Sequence, residues 1–74
     1  MKLNRQYVVC IQNRGYEVSL EKRKIYRVAP DERASEHNLI RIVDESGQRY
    51  LYPESYFASI RLPHPIVKAL DLAA

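Results

Sequence analysis

Apolar and polar positions alternate in short runs along the chain, and turn-forming residues interrupt the runs every several positions. That spacing predicts a small all-β domain. Tyr7-Val8-Val9-Cys10-Ile11 is β-branched and aromatic and predicts a first strand, ending at Asn13-Arg14-Gly15, where Gly15 supplies the positive φ of a turn. An irregular loop through Tyr16, Val18 and Leu20 leads to Lys24-Ile25-Tyr26-Arg27-Val28-Ala29, in which Tyr26 and Val28 share one face and Arg27 takes the other. Pro30 stops this strand, and the polar stretch PDERASEHN has room for one helical turn. Leu39-Ile40-Arg41-Ile42-Val43 is a third strand. Asp44-Glu45-Ser46-Gly47 turns the chain, with Gly47 in the left-handed position, and Gln48-Arg49-Tyr50-Leu51-Tyr52 returns as a fourth. Pro53 removes a ladder donor, so Pro53-Glu54-Ser55-Tyr56 predicts a tight 3₁₀-type turn before a last strand, Phe57-Ala58-Ser59-Ile60. Beyond Pro63-His64-Pro65, Ile66 and Leu70 lie on one face of a short terminal helix that is marginal unless it docks.

This order of elements resembles a Src-homology-3-like barrel. The match runs from the first strand through the irregular loop and the step Val18-Ser19-Leu20-Glu21-Lys22-Arg23-Lys24, then through a strand, a polar loop and a hairpin, to a proline turn ending in tyrosine. LYPESYFASI is similar to the closing motif of that family, and KIYRVAPDE followed by IRIVDESGQRYLYP resembles small uncharacterised bacterial proteins of this barrel type. The resemblance covers residues 6–61 and implies an all-β, five-stranded Src-homology-3-like barrel. Residues 62–74 would form a C-terminal extension, a short helix or tail. In the family's peptide-binding members, proline-rich ligands lie in a groove paved by aromatic rings. Pro53 and Tyr56 match that groove, but the first strand offers Cys10, Ile11 and Gln12 in place of tyrosines. The expected tryptophan falls near Asn38, and Asn13-Arg14-Gly15-Tyr16-Glu17 replaces an acidic loop. Half a groove remains, which argues against proline-rich recognition.

Composition narrows the picture without changing it. A chain of 74 residues is one domain with a thin core, and no apolar run approaches a membrane span. The N-terminal apolar stretch is too short for a signal peptide and Cys10 is the lone cysteine, so the expected location is cytoplasmic. Charge is uneven: residues 1–30 carry +5 and residues 31–74 carry −2, giving the net +3. This asymmetry permits an acidic partner at one end.

Enzymatic chemistry finds little support. Cys10 sits mid-strand among apolar residues with no helix N-terminus or histidine beside it, which favours a buried thiol over a nucleophile. His37 and His64 have no neighbour at zinc-ligand spacing, the carboxylates lie in surface loops, and the glycines Gly15 and Gly47 form no phosphate loop. The expected protein is therefore not an enzyme and has no cofactor or metal. Two binding surfaces compete instead. Tyr16, Tyr50, Tyr52, Pro53 and Tyr56 would bind a protein partner, and strand alternation sets Tyr50 and Tyr52 together, either both inside or both outside, opposite Leu51. Lys22, Arg23, Lys24 and Arg27 would contact phosphates if the partner were nucleic acid. The expected assembly is a monomer or a weak homodimer joined through the terminal helix.

Overall fold

The alternation becomes a single antiparallel five-stranded sheet in the computed structural model, which describes residues 6–73. β1 (Gln6–Cys10), β2 (Ile25–Val28), β3 (Leu39–Val43), β4 (Arg49–Pro53) and β5 (Phe57–Ile60) follow in chain order. A short helix, α1 (Glu32–Glu36), lies between β2 and β3, and a terminal helix, α2 (His64–Ala73), follows β5. The strands neighbour one another in the order β4-β3-β2-β1-β5, so the last two strands form the sheet's edges. A 3₁₀ turn, Glu54–Tyr56, carries the chain from one edge to the other. These pairings give an all-β sheet with a C-terminal helix; among the described residues no ladder joins β4 to β5. Lys2 and Arg5, counted in the basic half of the chain, lie outside the described residues, as does Ala74 of the C-terminal extension.

Each local signal has a visible cause. Gly47 takes φ 87° at the end of the β3–β4 hairpin, where the Asp44 carboxylate accepts N–H bonds from Ser46 and Gln48 and a hydroxyl bond from Ser46. The Ser46 hydroxyl contributes most to holding the Asp44 carboxyl below its usual range. Asp31 caps α1 by accepting the Ala34 N–H at 3.1 Å, and its other oxygen takes Arg41 Nε at 2.7 Å, which ties the helix to β3. α2 is longer than two turns because Pro65 is tolerated in its first turn, where a helix needs no N–H.

The core occupies one face of the sheet. Antiparallel partners share a face, so Val8 with Tyr26, Cys10 with Phe57, Val28 with Ile42 and Ile40 with Tyr52 line up in one layer. Leu20 reaches that layer from the β1–β2 loop and is fully buried, as are Cys10 and Ile42. The opposite face carries Tyr7, Ile25, Arg27, Val43 and Leu51, of which Tyr7 and Val43 are buried and Ile25 and Leu51 exposed.

One expectation is corrected here. Tyr50 and Tyr52 do share a face, but they do not share an environment: Tyr52 is 4% exposed and Tyr50 40%, as exposed as Leu51 between them. β4 is an edge strand: on it Tyr52 packs into the core cluster, whereas Tyr50, one pleat closer to the hairpin and paired with the fully buried Ile42, stays outside that cluster.

Candidate functional site

The loop between β1 and β2, residues 11–24, contains no regular element, yet it is pinned at many points. A buried tyrosine ring contributes apolar area but needs a partner for its hydroxyl. Here the loop is that partner. Tyr52 donates its hydroxyl to Ser19 Oγ at 3.1 Å, Tyr26 accepts the Glu21 N–H at 3.0 Å, and Tyr56 donates to the Arg14 carbonyl at 2.9 Å. Asn13 Nδ2 closes the loop on itself by donating to the Leu20 carbonyl at 2.9 Å, above the buried Leu20 side chain. The Tyr56 carbonyl in turn accepts the N–H groups of Ile11 and Gln12 at 2.8 and 3.3 Å. Each such bond contributes about 1 kcal/mol, so together they fix the loop on the 3₁₀ turn and the sheet.

This anchoring brings the predicted tyrosines together. The Tyr16 ring lies 5.2 Å from Tyr52 and 5.9 Å from Tyr56, nearly perpendicular to both, and Tyr50 joins through Tyr52 at 6.4 Å. Edge-to-face contacts in this range are favourable for aromatic pairs. Pro53, half-buried with φ −60°, starts the 3₁₀ turn that presents Tyr56. Ile11 beside the turn and Val18 at the loop tip add exposed apolar surface. Strand alternation alone points Ile11 away from the Cys10 face, a readable signal; the roles of Arg14 and Ser19 become visible only once the loop closes.

The basic residues are divided. Lys24 pairs with Glu45 at 3.0 Å, lies 5.3 Å from the Tyr26 ring centroid, and is pushed up from its usual value mainly by the Glu45 bond. With Arg27 it borders a groove of about 300 Å³ on the sheet's other face, where Asp44 and Glu45 supply the opposite charge. Lys22 and Arg23 are exposed at the end of β1, and Arg23 is held at φ 71° with its N–H donating to the Cys10 carbonyl at 2.7 Å.

Cys10 is fully buried, its thiol donates to the Gln12 carbonyl, and burial raises it above its usual value. His37 ends α1 and His64 begins α2, both exposed. Among the described residues no group of three or more His, Cys, Asp or Glu is placed to hold a metal ion, and no helix is long and apolar enough to cross a membrane. Comparison with protein-family models, with curated proteins and with solved structures returns no match.

Proposed function

We propose that the protein is a small non-catalytic interaction module that binds a protein partner through Tyr16, Tyr50, Pro53 and Tyr56, with Tyr52 as the buried ring on which they rest. The observation that carries this reading is the contact of Tyr16 with both Tyr52 and Tyr56, which makes one aromatic surface from three separate parts of the chain. Binding hot spots are enriched in tyrosine because a rigid ring offers large area at little entropic loss, and these rings are already held in place. A Src-homology-3-like barrel spanning residues 6–61 is part of the proposal. The strand order, the pinned first loop and the 3₁₀ turn between the edge strands support it. We assign the module to the cytoplasm, in keeping with its unpaired, buried Cys10.

Affinity capture from lysate tests the reading, run with and without nuclease and across a salt series. One stoichiometric protein, retained after nuclease and weakened roughly 30-fold by Tyr16→Ala, is the expected result. Recovery only of nuclease-sensitive material that falls steeply with salt would instead favour Lys22, Arg23, Lys24 and Arg27 as a phosphate surface.

A further inference from the structure

We propose that the groove on the sheet's other face is a second binding site, one that takes a zwitterionic amino acid with an apolar side chain. The argument starts from Arg27. Cross-strand pairing places it at the centre of a row that runs Ile60, Tyr7, Arg27, Val43, Arg49 across the whole five-stranded sheet. Its neighbours in that row, Tyr7 and Val43, are buried, and Arg27 is half-buried between them. A guanidinium that gives up part of its hydration carries five N–H donors to be satisfied. Among the described residues Arg27 has no partner for them, whereas Lys24 and Arg41 each hold a carboxylate.

The groove supplies the rest of a recognition pattern. Its apolar wall is Tyr7, Ile25 and Val43 with Leu70 of α2, and its hairpin end carries Lys24, Asp44 and Glu45. Asp44 is committed to the hairpin amides, and Glu45 uses Oε2 on Lys24, which leaves its Oε1 as an open acceptor. With Lys24 and Arg27 against Asp44 and Glu45, the lining has no net charge. A simple anion would gain at Arg27 and lose at the two carboxylates, and a simple cation the reverse. A ligand bearing both charges matches both ends. Its carboxylate takes the Arg27 fork, its ammonium takes Glu45, and its side chain covers Ile25 and Leu70. A volume of about 300 Å³ lies at the small end of ligand pockets, which suits one amino acid better than a peptide.

Titration of the labelled full chain with L-phenylalanine, hydrocinnamate and phenethylamine, followed by amide chemical shifts, tests this. The three probes share a ring and differ in charge. L-Phenylalanine is expected to shift Arg27, Val43 and Leu70, to leave Tyr16 and Tyr56 in place, and to bind roughly ten-fold more tightly than either single-charge probe. Arg27→Gln should weaken it about ten-fold, and Arg27→Lys, which keeps the charge without the fork, by less. Arg27 has no bond to lose among the described residues, so both variants should stay folded, which unchanged shifts on the core face verify. Hydrocinnamate or phenethylamine binding as tightly as L-phenylalanine overturns the zwitterion, as does binding indifferent to Arg27→Gln. No shift at Arg27 and Leu70 up to about 10 mM, or shifts centred on Tyr16 and Tyr56 instead, overturns the groove as a site and leaves the reading of the tyrosine cluster untouched.

Discussion

The two faces of the sheet are closed in different ways. Over the core face, the irregular β1–β2 loop is held by directional bonds from the hydroxyls of Tyr26, Tyr52 and Tyr56, and it buries Leu20 completely. Over the other face lies regular structure, helix α2, yet Leu70 remains 37% exposed and Ile66 47%, and a groove of about 300 Å³ separates Leu70 from Tyr7, Ile25 and Val43. Regularity and anchoring are thus separate properties. A loop without repeating structure is fixed when its polar groups find buried partners, whereas a short amphipathic helix touching a sheet through few apolar side chains is easily released.

Substitutions on the two faces should therefore differ in size, beginning with the largest. Leu20→Ala removes a fully buried side chain and should destabilise the protein by about 3 kcal/mol in denaturant unfolding, a large share of what so small a domain has. Tyr52→Phe and Tyr56→Phe each keep the ring and delete one loop bond, and each should lower stability by about 1 kcal/mol. On the other face, Leu70→Ala should cost less than about 1 kcal/mol, because the side chain is only partly covered. Loss there equal to that of Leu20→Ala would erase the contrast. Truncation after Pro63 should leave the sheet folded, and a full chain that elutes at the size of a dimer while the truncated one elutes as a monomer would assign self-association to α2.

The finest distinction is in pH. Asp31 has its carboxyl lowered first by the Ala34 N–H and then by Arg41, so the charged form is favoured in the folded chain. Its contribution is complete above the ordinary value of 3.8 and is lost as pH falls from there through the lowered folded value. Asp31→Asn should flatten that acid limb of the unfolding curve; an unchanged limb would mean that the cap and the Arg41 pair contribute nothing.

Much of this arrangement is legible in the residue pattern. β-branched runs, Gly47 and Pro53 place the strands, the hairpin and the 3₁₀ turn, because each is a local steric or hydrogen-bonding preference, and the polar stretch after Pro30 leaves room for α1 without marking Asp31 as its cap. Alternation also puts Tyr50 and Tyr52 on one side, but period alone does not say where the core layer ends along an edge strand. The pairing of Tyr56 with Arg14, 42 positions apart, and of Tyr52 with Ser19, 33 apart, depends on loop closure and leaves no local signal. The basic run Lys22-Arg23-Lys24 likewise looks continuous in sequence and is split only by the Lys24 bond to Glu45 across the β3–β4 hairpin.

Amide hydrogen exchange within the first loop measures the central claim, that tyrosine hydroxyls fix the loop and with it the aromatic surface. Leu20 N–H, bonded to the Tyr16 carbonyl at 2.8 Å, and Arg23 N–H, bonded to Cys10, should be protected in the native chain. In Tyr52→Phe and Tyr56→Phe their exchange should accelerate about five-fold, the equivalent of one lost bond, while α2 amides are unchanged. Loop amides that exchange as an unfolded chain in the native protein, or that ignore both substitutions, would contradict it.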